Sequence, residues 1–197
     1  MIKTKDELKY YLECDRIALG KKTIRPSFFG DNIWKFQICM RKLDYYKNTK
    51  REVLKHYYRL RYHHLSLKLG FSIPCDIIGP GLAIVHYGTI VISSGAVIGE
   101  NCRIHACVNI GANGGERKAA EIGDNVYIGP GAKIVGRIRI GNGSVLGANA
   151  VVNKDVPEQV TVGGVPAKII SENNSDKHLI KATKIIKCEG YHHKSAV

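Results

Sequence analysis

Eight histidines are the side chains of this sequence best suited to moving a proton near neutral pH. Two of them, His86 and His105, fall inside a regularly spaced stretch and are the candidates for chemistry. An imidazole held beside a hydroxyl can act as its general base, which an alcohol needs because it is a weak nucleophile at pH 7. His86 occupies the third position of its six-residue unit, next to a two-residue insertion; the plainer reading is a hydrogen-bonding histidine on the wall of the fold. His105 directly follows Ile104, where glycine often stands, so it is expected at a turn and pointing outward. A contact between copies of the chain is its plainer reading. The six cysteines (Cys14, Cys39, Cys75, Cys102, Cys107, Cys188) form no CxxC pair and no zinc-finger spacing. They read as reduced thiols, with Cys102 and Cys107 at repeat positions that want small side chains, and no metal is expected.

The element that must position these histidines is a repeat. Aliphatic residues return every six positions: Ile78 and Ile84, then Ile92, Ile98, Ile104 and Ile110, then Ile122, Ile128, Ile134, Ile140, Leu146 and Val152. Many are followed by glycine, and four residues after most of them stands a small or branched residue such as Ala96, Cys102, Val126, Ala132 or Ala150. A fixed period of this kind marks a stacked repeat; each hexapeptide makes one short strand and one turn, and three close a coil of about 18 residues, a parallel β-helix. Asn101, Asn125, Asn142 and Asn149 are expected to accept the positive φ of such turns. The phase breaks at Ile90-Val91, read as two extra residues, and at the excursion from Asn113 to Glu121, expected as an external loop.

Residues 1–70 read as a basic α-helical region. Thr4 with Glu7 three residues later makes a capping box for a first helix, and Gly20 and the stretch from Pro26 to Gly30 break it. Ile33 to Leu69 forms one long helix or two with a kink near Asn48, stopped by Gly70. The net charge of +13 is concentrated here, 17 Lys/Arg against 7 Asp/Glu giving +10. That is compatible with a nucleic acid, an anionic membrane surface or an acidic substrate, and equally with a solvated basic face. No nucleic-acid-binding motif accompanies it, so nucleic acid is not expected, whereas peripheral contact with an anionic membrane stays open. No apolar run approaches the roughly 18 residues of a membrane span and no signal peptide is evident, so the expected location is cytoplasmic. Residues 171–197 form a polar tail, expected to be frayed or partner-dependent.

Over about residues 73–170 the chain resembles the hexapeptide-repeat acyltransferases, in particular their serine O-acetyltransferase branch. The resemblance is carried by Gly79-Pro-Gly-Leu-Ala-Ile-Val-His86 with Ile90-Val-Ile92, by Ile128-Gly-Pro-Gly-Ala-Lys-Ile-Val-Gly136, by Leu146-Gly-Ala-Asn-Ala-Val-Val152 and by Gly163-Gly-Val-Pro-Ala-Lys168. It implies a mainly β protein: a left-handed parallel β-helix acyltransferase domain over 71–170, with a short α-helical N-terminal region and the tail. It also implies acetyl-CoA as co-substrate and a homotrimer with active sites between subunits, with pairing of trimers left open. His86 would be the base and His105 a second candidate. Gly111, Ala112, Gly129, Gly147 and Ala148 would line the pantetheine groove through their backbone amides, with Lys154 and Lys168 facing the phosphates. Tyr87 and Lys118 could meet a sugar or a carboxylate. Three departures stand out. The carboxylate that orients the family's histidine falls on Phe71, the one preceding that histidine on Val85, and an Arg-His pair on Lys118-Ala119. A backbone carbonyl or Asp76 would then have to fix the tautomer of His86. On these departures the expected acceptor is a sugar hydroxyl of capsular, lipopolysaccharide or exopolysaccharide synthesis, as in the capsule-associated proteins of that branch. The alternative is serine O-acetylation in cysteine biosynthesis, and a non-enzymatic scaffold is a third reading.

Overall fold

The computed structural model describes residues 1–188; the rest of the tail, 189–197, lies outside the described residues. Three helices lead the chain: α1 (Lys5–Ala18), α2 (Asn32–Asn48) and α3 (Glu52–Leu69). The capping box at Thr4 forms, with Glu7 N–H donating to Thr4 Oγ1 and Thr4 N–H to Glu7 Oε2. The long helical stretch is two helices, broken at 49–51, where Lys50 takes a φ of 54°. Gly70 ends α3 in the left-handed conformation, with φ 74°.

Fourteen short strands follow among the described residues, and from β2 to β12 every third one returns to the same sheet. β2 (Ala83–Ile84), β5 (Arg103–Ile104), β8 (Tyr127–Ile128), β11 (Val145–Leu146) and β13 (Thr161–Gly163) stack in parallel as one sheet. A second comprises β1 (Phe71–Ser72), β3 (Ile90–Ile92), β6 (Asn109–Gly111), β9 (Lys133–Val135) and β12 (Val151–Val152). The third holds β4 (Val97–Ile98), β7 (Glu121–Ile122) and β10 (Arg139–Ile140). The register stacks the six-residue aliphatics on one another, Ile84 on Ile104 on Ile128 on Leu146 on Val162. All five are buried. β14 (Lys168–Ser171) pairs antiparallel with β13 and ends that sheet.

The glycine that follows so many aliphatics is there for close approach between coils. A Cβ on Gly129 would lie 2.7 Å from the Leu146 carbonyl oxygen of the next coil. The positive φ falls elsewhere, on Asn101, Asn125 and Asn149 at 53–56°. Asn142 does not take it; its neighbour Gly143 does, with φ 67°. Cys107 also occupies a left-handed turn and is exposed, unlike the interior Cys102. The phase breaks also differ from expectation. Ile90 and Val91 are part of strand β3, and the extra residues fall in the turn at 86–89. In the second excursion, the exposed loop is 113–118, because Ala119 and Ala120 are buried against the core and Glu121 already belongs to a strand.

The first coil has no coil before it, so its backbone groups on that side need other partners. Helices α1 and α2 supply them. Arg41 donates to the carbonyls of Ile78 (2.6 Å) and Gly79 (2.7 Å) and to both oxygens of Asp15. Asp15 in turn accepts from the amides of Gly81 and Leu82, each at 2.9 Å. Gln37 accepts from Ile84 N–H and donates to Leu82 O. Asp15 and Arg41 are 0% and 1% exposed, so this ion pair sits in the interior. The described part of the tail, 171–188, packs back on the stack and on α1. Ser175 bonds the backbone of Gly143 and Asn125, Thr183 bonds Asn101, and α4 (Ala182–Cys188) packs Ala182 and Ile186 against Tyr10, Cys14 and Ala18 of α1.

Removing one member of a buried ion pair strands the other's charge. Asp15→Ala is therefore expected to lower the unfolding free energy by about 3–5 kcal/mol in urea denaturation. A loss below about 1 kcal/mol, the range of a surface pair, would contradict this role.

Candidate functional site

The turn between β2 and β3 carries His86 into solvent, and the equivalent turn one coil on begins with His105. Because Ile84 stacks on Ile104, the two histidines meet on one corner of the stack. Their ring centroids are 5.9 Å apart and their planes are inclined by 51°. The His105 ring also lies 5.0 Å from Tyr127, whose far side meets His178 from the tail at 5.0 Å. Sequence reasoning missed His178, which comes from the segment expected to be frayed.

His105 is half-buried, and its Nε2 is enclosed with no hydrogen-bond partner. Burial, then the charges of Arg103 and His86, hold its imidazole below the ordinary value of 6.5. Asp76 does not orient His86; it is committed to Lys47 at 2.7 Å. Phe71 is a buried strand residue packed edge-on against Phe36, so no carboxylate replaces the one expected there. Among the described residues no side chain hydrogen-bonds to His86. Its nearest ring partner is His105.

From His105 a column of small residues runs along the same corner. Gly129, Gly147 and Gly163 follow the stacked residues Ile128, Leu146 and Val162, and Gly163 pairs with the exposed Lys168. The amides of Gly129 and Gly147 are not free donors, since they bond Leu146 O and Val162 O at 2.8 Å. Gly129 is buried beneath the next coil, so only Gly147 and Gly163 of this column are partly exposed. Ala148 is exposed beside it. Gly111 and Ala112 lie on a different corner, after β6, so one chain does not bring them to the glycine column. Lys154 is exposed after β12, and Lys118 is exposed in the loop at 113–118. Tyr87, 75% exposed, borders a cleft of about 370 Å³ between the helices and β2. No group of three or more His, Cys, Asp or Glu among the described residues could hold a metal. No helix among them is long and apolar enough to cross a membrane.

Known proteins are similar to this chain in sequence and in fold. The description "Bacterial transferase hexapeptide (six repeats)" matches residues 119–154. The serine acetyltransferase of Buchnera aphidicola subsp. Schizaphis graminum is 39% identical over 147 residues, 71% of this chain and 54% of that protein. The serine acetyltransferase of Neisseria gonorrhoeae, solved in complex with serine, is 31% identical over 82% of this chain and 68% of that one, with a TM-score of 0.61. The chain belongs to the hexapeptide-repeat transferases, on the serine acetyltransferase-like branch. A further serine acetyltransferase, solved in complex with CoA, is 26% identical over 84% of this chain and 71% of that one, at a TM-score of 0.69. The chain spans about half the length of the curated relatives it matches.

Membership of this branch corrects the expected acceptor. The relatives are serine acetyltransferases, so the sugar hydroxyl and the role in polysaccharide synthesis inferred from Phe71, Val85 and Lys118-Ala119 are withdrawn. Here Arg103 stands two residues from His105 and borders the cleft.

His105 is expected to titrate below 6.5, leaving it neutral at pH 7. A histidine whose folded value is depressed makes the unfolded chain the stronger proton binder. Its contribution therefore destabilises the protein as pH falls through about 6.5, an ordinary histidine value. NMR titration of the ring protons checks this, and a midpoint at or above 6.5 would refute it.

Proposed function

We propose that this chain is an acetyl-CoA-dependent O-acetyltransferase whose acceptor is the hydroxyl of L-serine. The observation that carries the reading is the meeting of His86 and His105 at the head of the glycine column. His86 is exposed and takes the hydroxyl proton as the oxygen attacks the thioester carbonyl; it then returns that proton to the departing thiol. His105, kept neutral, lies against the His86 ring without opposing the positive charge His86 gains in that step. The partly exposed Gly147 and Gly163, beside the exposed Ala148, suit an extended pantetheine chain, and Lys168 at the end of the column suits a phosphate as a point charge. The relatives solved with serine and with CoA support the choice of both substrates.

On this reading 71–170 is the acyltransferase unit, wound as a left-handed parallel β-helix, with 1–70 and the described part of the tail, 171–188, bracing it. The working form is a homotrimer. Gly111 and Ala112 sit on a different corner from Gly129 and Gly147, and a second copy would bring the two corners to one groove. Lys154 would join Lys168 on the phosphates, while Tyr87 and Lys118 would border the acceptor.

Purified protein given acetyl-CoA and L-serine is expected to release thiol and form O-acetylserine. His86→Ala should lower kcat by about 10²–10⁴-fold, the usual weight of a general base, with unfolding temperature and oligomeric state unchanged. No serine-dependent thiol release by the unaltered protein would overturn the reading.

A further inference from the structure

The cleft between the helices and β2 contains a charge that nothing in the described protein neutralises. Its walls include Lys21, Asp31, Trp34, Val85, Tyr87 and Arg103. Lys21 and Asp31 pair at 2.5 Å and cancel, and this contact with the Ser27 amide keeps the Asp31 carboxyl below its usual range. Arg103 is different. It has no carboxylate partner among the described residues, and its Nε is buried without any hydrogen-bond acceptor. An unmet buried donor costs about 1–3 kcal/mol, more when charged, so such a group in a folded protein calls for an explanation.

The register gives one. Arg103 stands on β5 between Ala83 on one neighbouring coil and Tyr127 on the other. Ala83 is too small to cover it on the cleft side, and the chain reaches His105 two residues later. We propose that Arg103 receives the carboxylate of the acceptor in this cleft. Val85 and Tyr87, the chain neighbours of His86, border the same space, which His86 itself does not line. The guanidinium fork matches a carboxylate with two parallel hydrogen bonds, which a lysine at this place would not supply. The assignment rests on the amino-acid acceptor proposed above. It gives this chain a specificity residue on the strand, where the resemblance places Lys118-Ala119 in the loop.

Calorimetric titration of the whole protein with L-serine and with L-serinamide, which lacks the carboxylate, tests it. The unaltered protein is expected to bind serine at least tenfold more tightly than serinamide, about 1.4 kcal/mol. Arg103→Gln should abolish that preference and Arg103→Lys retain part of it, with thermal unfolding confirming that each variant is folded. Equal binding of the two compounds, binding of neither, or a preference that survives Arg103→Gln overturns the assignment. If Arg103→Gln does not fold, Arg103→Lys decides, because an undiminished preference there contradicts a bidentate contact. Acetyl transfer is assayed separately. Carboxylate-dependent binding without turnover removes the transferase reading and leaves the role of Arg103 standing.

Discussion

The structure depends on how the first coil of a parallel stack satisfies its outward backbone. Every later coil bonds to the one before it, but the segment 78–84 has none, and unpaired buried amides and carbonyls are costly. The Asp15–Arg41 pair resolves this. Between them the two side chains engage the carbonyls of Ile78 and Gly79 and the amides of Gly81 and Leu82, and Gln37 continues the pattern at Leu82 and Ile84. A wholly buried ion pair is poor evidence of stability when its only partners are each other. Here each charge is also met by backbone groups that would otherwise be orphaned, so the pair fixes how the helices seat on the stack.

That seating reaches the site. β2 is held between β5 on one side and α1 and α2 on the other, and His86 follows it by two residues. The cleft lined by Val85, Tyr87 and Arg103 exists because the ends of α1 and α2 overhang β2. The tail reinforces the arrangement from the far end, running back along the turns at Gly143, Asn125 and Asn101 to pack α4 against α1. His178, carried on that tail, extends the ring contacts from His105 through Tyr127. Helices, stack and tail thus converge on one corner.

The stack was legible in the sequence because its cause is periodic. Inward aliphatics must recur every six residues, so Ile104, Ile128 and Leu146 announce their register without any structure. The glycines were legible as positions but not as reasons, since the closeness of Gly129 to the Leu146 carbonyl belongs to the neighbouring coil. His86 and His105 were visible as candidates, yet their meeting depends on the 86–89 turn, which period counting had assigned to Ile90-Val91. The buried polar residues left a trace: Gln37, Arg41 and Asp44 fall at helical spacing on the buried face of α2. Asp15, Arg103 and His178 left none, because their partners are far along the chain. The acceptor was misread for a related reason. Missing side chains at Phe71, Val85 and Lys118 are visible in a sequence, whereas the relatives that match the chain over most of its length are serine acetyltransferases.

Native-state hydrogen exchange at Gly81 and Leu82 addresses the central claim most directly. If the Asp15–Arg41 pair is the partner of the open coil, these two amides should exchange only through global unfolding, with protection equal to that of Ile104 and Ile128 in the middle of the stack. Exchange of Gly81 and Leu82 at the rate of the exposed loop at 113–118, while the stack stays protected, would show that the helices do not hold the first coil and would contradict the account.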